Sequence, residues 1–362
     1  MNEAFKDQPQ APRSGEAVDR AKLQEYLRPL LPEPGTPVEI SQFRQGYSNL
    51  TYLIRAGDRE WVLRRPPVGA QIKSAHDMGR EYRILSHLQG FYPLAPKPVL
   101  YCEDPSVLGA PFYLMNRVQG IILRRELPAG LHLDEGTLRA LSESFIDNLS
   151  AIHQVDFRAA GLADLGKPEG YVRRQIEGWT KRYQQAQTDT LVSLEEMAAW
   201  LGQNQPTEVG GCLIHNDYKY DNLVLDPNQL PRILATLDWE MATLGDPLMD
   251  LGSALGYWVD ADDPEAWRKQ AFGITSRPGN LNREALLARY AQATGRSIGA
   301  PVFYYVYGLF KIAVIVQQIY ARYRKGLTQD ERFAGLLEVV KDAARMGCLA
   351  IERGRISGLG GR

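Results

Sequence analysis

Only three cysteines occur in 362 residues, Cys102, Cys212 and Cys348, and no two share a Cys-x-x-Cys spacing. That scarcity excludes a disulfide framework and a structural zinc site of the usual spacing, and a reducing, cytoplasmic compartment is expected. Charge of one sign is lacking too: 42 Lys and Arg stand against 43 Asp and Glu, a formal net charge of −1. Such a balance leaves no global footprint for nucleic acid or an anionic membrane, so neither is expected as a partner. The basic doublets Arg64-Arg65, Arg124-Arg125 and Arg173-Arg174 are read as solvated faces before anion sites. The opening MNEAFKDQPQAPRSGEA has no apolar signal-peptide core, and residues 1–17 are expected to form a flexible arm. One apolar run, Pro301 to Tyr320, is long enough to cross a bilayer, but Lys311, Gln317 and Gln318 interrupt it. Lys311, Gln318, Arg322 and Lys325 recur at helical spacing, which predicts a mostly buried helix with one polar stripe. No Gly-x-Ser-x-Gly elbow accompanies His153 or His215, so a hydrolase triad has no support.

What is present changes texture near residue 120. Before it lie short β-like runs, LTYLIRAG, EWVLRRP and PFYLMNRV, bounded by Gly or Pro. One helical stretch interrupts them, in which Tyr82, Leu85 and Leu88 recur and Gly90 is placed to end the helix. Afterwards helices dominate, with one β island from Cys212 to Trp239. The expected class is α+β: a sheet-rich N-lobe over 18–117, a linker over 118–123, a helical C-lobe over 124–354 and a flexible tail over 355–362.

Polar chemistry concentrates in LIHNDYKYDNLVLD, Leu213 to Asp226. NLVLD and RILATLD flank the turn PNQLP, which predicts an antiparallel hairpin centred near Leu230 with Asn222 opposite Asp238. Asp217 lies where the chain enters that hairpin. Three oxygen-bearing side chains can then converge, a donor set that suits magnesium and phosphate with one carboxylate to spare. The spacing His-x-Asp-x-x-x-x-Asn, His215 to Asn222, matches the catalytic loop of protein kinases, and Asp238 their metal-binding aspartate.

Together with LDWEMATLGDPLMDLG, this stretch resembles the aminoglycoside phosphotransferase and choline kinase-like family, within it the kinase-like domains fused to acyl-CoA dehydrogenases. The resemblance runs from about Gln42 to Arg324 and implies a two-lobed, protein-kinase-like fold. It implies Asp217 as the group that takes the acceptor's proton, with Lys219 as a charge clamp. Asn222 and Asp238 would hold Mg2+. His215 is expected to fix the loop, and Asp246 and Asp250 to anchor the next helix N-terminus. The family usually has Gly at the position of Asn216 and often Arg at that of Lys219.

The segment from Gln42 to Pro66 resembles a phosphate-covering hairpin in which Gly46, Ser48 and Asn49 would meet phosphate oxygens. Arg64 stands where kinases carry a Lys, and Glu81 is the matching acid. In FYLMNRVQG the backbone of Met115 and Arg117 would meet adenine, with Asn116 where relatives often carry an acid. Tyr304, Tyr307 and Lys311 share a helical face that would suit an apolar acceptor bearing an anionic group. The activity so implied is transfer of the γ-phosphoryl group of ATP to a small-molecule hydroxyl, on a hydroxylated acyl or acyl-CoA-like compound. Aminoglycoside- or choline-type kinases and a pseudokinase without turnover are the alternatives. A homodimer stays open.

Overall fold

A computed structural model describes residues 7–43, 49–67, 77–328 and 330–361. Gly46 and Ser48 lie outside the described residues. The chain divides into two compact units, the first holding the chain up to Ile122 with Leu223–Gln229 and Ile233–Met241, the second holding the rest.

In the first unit, β1 (Glu39–Phe43), β2 (Leu50–Ala56), β3 (Arg59–Arg65), β4 (Pro98–Cys102) and β5 (Phe112–Asn116) form one antiparallel sheet in the order β1-β2-β3-β5-β4. Its apolar face gathers Tyr52, Ile54, Trp61, Leu63, Phe112 and Leu114, with Leu23 of helix α1 (Arg20–Tyr26) and Leu27, which caps that helix, in the same core. Helix α2 (Met78–Leu88) starts where the Asp77 side chain accepts from the Arg80 amide. It buries Met78, Glu81, Ile84, Leu85 and Leu88, an i, i+3, i+4 stripe in which one member is an acid. A turn of helix, α3 (Pro105–Leu108), leads into β5.

Residues 10–16 are not a loose arm. Gln10 exchanges two backbone hydrogen bonds with Gln42 of β1, at 2.8 and 2.7 Å, and the Glu16 carbonyl accepts from the Tyr52 hydroxyl at 2.6 Å. An edge strand offers unpaired backbone groups, and this segment satisfies them.

The second unit holds helices α4 (Glu135–His153), α5 (Tyr171–Ala186), α6 (Val192–Gln203), α7 (Pro247–Tyr257), α8 (Glu265–Lys269), α9 (Arg283–Thr294), α10 (Pro301–Arg324) and α11 (Leu336–Arg353). It also holds a two-stranded ladder of β6 (Cys212–Ile214) and β9 (Thr243–Gly245). Helix α10, expected to be a buried helix, packs on α5, α7 and α11. Its most apolar window, of mean hydropathy 1.5, is 72% buried, so length and composition alone say little about a membrane here. Helices α7 and α10 meet at glycines: a Cβ at Gly252 or Gly308 would strike the backbone of the facing helix. That close approach sets the face of α7 that carries Asp250 and Ser253 beside Lys311 of α10.

The 355–362 tail expected to be flexible is packed over its described part. Ile356 and Leu359 are buried, and Ser357 Oγ donates to Asp260 Oδ2 at 2.7 Å. The glycines of this segment are interleaved with these anchors.

The hairpin also departs from expectation. Strands β7 (Leu223–Leu225) and β8 (Ile233–Thr236) group with the first unit instead of the helical lobe. Its ties there explain this: Ile121 and Leu225 bridge, the Thr236 amide donates to Leu94, and Thr236 Oγ1 lies 2.7 Å from the Tyr92 hydroxyl. Leu223 pairs with Thr236 and Val224 with Ala235, so the register that would set Asn222 opposite Asp238 is offset. The ladder stops before either residue: Asn222 ends a 3-10 turn, and Asp238 adopts φ 67°.

Candidate active site

In the first unit the chemistry centres on Arg64. The β2–β3 and β3–β5 registers set it between Thr51 and Tyr113, with its side chain buried. Its Nη1 donates to Glu81 Oε1 at 2.8 Å, and its Nη2 to Asp238 Oδ1 at 2.9 Å and Glu240 Oε2 at 3.4 Å. The planar fork thus serves three acids from two nitrogens, which a Lys ammonium on one point cannot copy. Burial alone would lower the Arg64 pKa, but Glu81 and Asp238 more than offset it and hold the cation above its ordinary value. Burial pushes the Glu81 carboxyl up to about 7, against the pull of Arg64 and with an added push from Asp238. Asn49 Nδ2 donates to Glu240 Oε2, and Arg80 Nη1 to the Glu240 carbonyl at 3.0 Å.

Glu240 was not singled out from the sequence. Its signal is its position two residues beyond Asp238, in LDWE, where a second acid beside a metal-type aspartate concentrates negative charge.

Of the backbone groups expected to meet adenine, the Arg117 amide is already engaged. Met115 lies inside the sheet between Val62 and Pro98, and the Arg117 amide donates to the Glu60 carbonyl at 3.3 Å. The Arg117 guanidinium is likewise engaged, by Glu60 Oε2 at 2.9 Å and the Asp7 carbonyl at 3.1 Å.

In the second unit the loop from His215 to Asn222 is pinned at successive points. Asp250, buried in the first turn of α7, accepts from the His215 and Asn216 amides, each at 2.7 Å. The same carboxylate meets His153 Nε2 at 3.0 Å, while His153 Nδ1 meets the Tyr290 hydroxyl at 2.7 Å. Burial would raise Asp250, but the His153 hydrogen bond and the loop amides keep its carboxyl below the usual range. So Asp246 alone caps the helix, accepting from the Leu248 amide at 2.8 Å, and Asp250 serves the loop. Asn216 adopts φ 67°, the left-handed region where Gly is cheapest and Asn next, which explains both the family's Gly and its replacement. Tyr171 donates to Asn216 Oδ1 at 3.1 Å.

Lys311 is the third support of Asn216: its Nζ donates to the Asn216 carbonyl at 2.6 Å. Burial lowers its pKa, with Asp250 pulling the other way. This corrects the expectation that Tyr304, Tyr307 and Lys311 face an acceptor. All three are buried, at 3%, 1% and 4% exposure, among helices of the second unit. Helical spacing identified a shared face but not what that face meets.

Asp217 follows. Its carboxylate receives Lys219 Nζ at 2.9 and 3.1 Å, and Asn222 Nδ2 donates to its carbonyl at 2.8 Å and to Oδ2 at 3.2 Å. The Asp217 amide in turn donates to His215 Nδ1 at 3.3 Å, so His215 fixes the loop. Burial would depress the Lys219 pKa, yet Asp217 more than offsets it and the ammonium is held above its ordinary value. With its nitrogen spent on Asp217, Asn222 has its amide oxygen left as the ligand atom for a cation. Beside this pair lies a narrow cleft of about 20 Å³ lined by Phe145, Tyr220, Tyr257, Trp258 and Phe272, with Lys219 and Asp221 as its charged members.

Comparison with known proteins agrees with this chemistry. The family described as phosphotransferase enzyme family matches residues 39–295. Mouse acyl-CoA dehydrogenase family member 10 is 35% identical over 84% of this chain, and the match spans 28% of that protein's length. A solved structure from Ralstonia eutropha JMP134, described as a candidate aminoglycoside phosphotransferase, is similar over 93% of this chain and 99% of its own at 32% identity and TM-score 0.78. A thermostable mutant of aminoglycoside phosphotransferase APH(4)-Ia, solved in ternary complex with AMP-PNP and hygromycin B, covers 92% of this chain and 98% of its own at 18% identity and TM-score 0.57, a likeness of fold. The fold class is therefore α+β of the protein-kinase-like kind, and the chain belongs to the phosphotransferase enzyme family.

Proposed function

We propose that the protein is an ATP- and magnesium-dependent phosphotransferase that acts on the hydroxyl group of a small molecule in the cytoplasm. The observation that carries this is the Asp217 carboxylate, fixed by Lys219 and Asn222 inside a loop whose amides are held by a buried acid. In this reading the acceptor hydroxyl hydrogen-bonds to Asp217. As its oxygen bonds to the γ-phosphorus, the bond to the bridging oxygen of ADP breaks and the hydroxyl proton passes to Asp217. Lys219 offsets charge at the transferred group, and Arg64, held by Glu81, orients the nucleotide phosphates.

Asn222 of the second unit and Asp238 of the first each carry a donor that suits a divalent cation, an amide oxygen in the one and a carboxylate whose side chain is 28% exposed in the other. When bound, magnesium would neutralise phosphate charge.

The cleft beside Lys219 is mostly aromatic, and Asp221 is the one carboxylate that lines it. An aromatic wall of this kind favours contact with an apolar group over a polycation. A hydroxylated acyl or acyl-CoA-like compound would present such an apolar group, in keeping with the name of the mouse relative. An aminoglycoside is the second reading, favoured by the description of the Ralstonia protein.

A panel of hydroxyacyl thioesters, choline and aminoglycosides, assayed with ATP and magnesium by ADP release, separates these. Asp217→Asn should abolish transfer to whichever acceptor is used while ATP still binds. Near-normal turnover by that variant would remove Asp217 as the proton acceptor.

A further inference from the structure

We infer that Tyr257, the last residue of α7, is a positioning residue for phosphoryl transfer: its ring is the platform that holds Lys219 against Asp217. The inference rests on the phosphotransferase reading of Asp217. Lys219 Nζ lies 5.0 Å from the centroid of the Tyr257 ring while ion-paired with Asp217 Oδ2 at 2.9 Å. The ammonium is therefore held by a carboxylate and by the negative face of an aromatic ring, two attractions that fix its place together. Tyr257 is itself locked: Phe272 meets it edge-on at 5.3 Å, and Phe272 in turn packs on Trp267 at 6.1 Å. Both Tyr257 and Phe272 line the cleft, so the platform belongs to the wall an acceptor would touch.

The ring does what a hydrogen bond alone cannot. Lys219 is a flexible four-carbon stem, and with only Asp217 to meet it the ammonium can swing with the carboxylate. A ring beneath it restricts the pair to one arrangement, which leaves the Asp217 oxygens oriented for a hydroxyl. The phenol also lies in the field of Asp217, which after burial is the next cause of its raised pKa. It therefore stays protonated and able to donate.

The test compares Tyr257→Leu with Tyr257→Phe in the full chain. Lys219 is labelled competitively with acetic anhydride and quantified by peptide mass spectrometry, a readout that needs no turnover. Tyr257→Leu should raise Lys219 labelling several-fold, as should the control Asp217→Asn, whereas Tyr257→Phe keeps the ring and the protection. ADP release with ATP, magnesium and water as the acceptor should fall about tenfold in Tyr257→Leu with KM for ATP unchanged, and Tyr257→Phe should restore most of it. Unchanged labelling in Tyr257→Leu, or equal effects of Leu and Phe, would overturn the platform. If labelling responds as expected but Asp217→Asn keeps normal turnover, the clamp stands and the function reading of Asp217 fails.

Discussion

Replacing Arg64 by Met tests the buried charge network of the first unit more sharply than any surface change. Arg64 and Glu81 are 8% and 1% exposed at their side chains, so the variant strands a carboxylate in the core. Removing one partner of a buried pair costs ~3–5 kcal/mol, because the other is left uncompensated. The sign of the pH dependence follows from Glu81. Its folded pKa is already raised, from 4.5 to about 7, so the folded state binds this proton more tightly than the unfolded chain does. The stabilisation is fully present below about 4.5 and is lost as pH rises through 7. Without Arg64, which lowers that value, Glu81 should titrate higher still. Each unit of further shift narrows the gap to wild type by about 1.4 kcal/mol once pH falls below the wild-type value. Urea melts at pH 8 and pH 5.5 should therefore show Arg64→Met destabilised by about 3–5 kcal/mol at the first and less, by ~1–2 kcal/mol, at the second. Glu81→Gln in the same background should recover part of the loss at pH 8 only. An equal loss at both pH values, or no recovery by Glu81→Gln, would refute the idea that the stranded carboxylate is the cause.

Asn216→Gly suits the backbone but leaves the buried Tyr171 hydroxyl without its acceptor, so it should lose ~1 kcal/mol in thermal melts, while Asn216→Val, a β-branched residue forced to φ 67°, should lose ~1–2 kcal/mol more. Lys311→Met leaves the buried Asn216 carbonyl without its donor, so it should cost ~1–3 kcal/mol and lower turnover for every acceptor alike; an effect confined to the KM of anionic acceptors would return Lys311 to the substrate site. Asp238→Ala should weaken magnesium-dependent ATP binding in calorimetry more than Asp217→Ala does, and equal affinities would count against Asp238 as a metal ligand.

Spacing made the loop from His215 to Asn222 legible, because its residue types have few other uses at that separation. The partnership of Arg64 with Glu81 was legible for a similar reason: a strand cation and an acid on the following helix. What escaped needs the third dimension. The acid that holds the loop, Asp250, lies 34 residues beyond the Asn216 amide it binds, and its place in a helix first turn suggested only a cap. Lys311, 95 residues from the carbonyl it supports, looked like one member of an amphipathic stripe. Tyr257 carries no local signal at all. Its role depends on Lys219 arriving over its ring, which no periodicity encodes. The hairpin register failed for a smaller reason: the pairs Leu223–Thr236 and Val224–Ala235 set Asn222 level with Leu237, one residue short of Asp238, and alternation does not fix where a turn is centred.

The departures from the family pattern become intelligible once each position is described by the property it must supply. At 216 the requirement is a left-handed backbone whose amide and carbonyl are both claimed, by Asp250 and Lys311. Asn meets it and adds an acceptor for Tyr171, which a Gly cannot offer. At 219 the requirement is a cation reaching the Asp217 carboxylate, and a Lys seated on an aromatic ring satisfies it without a guanidinium. At 64 the requirement is stricter, since Glu81 and Asp238 are served by different nitrogens of one plane. Arg there is not a degraded Lys, as a pseudokinase would show, but a cation that ties the helix acid directly to the aspartate of the hairpin. It follows that Arg64→Lys, the change that restores the usual kinase residue, should be damaging in this protein, because a single ammonium must choose between two acids that the fold has placed for a fork.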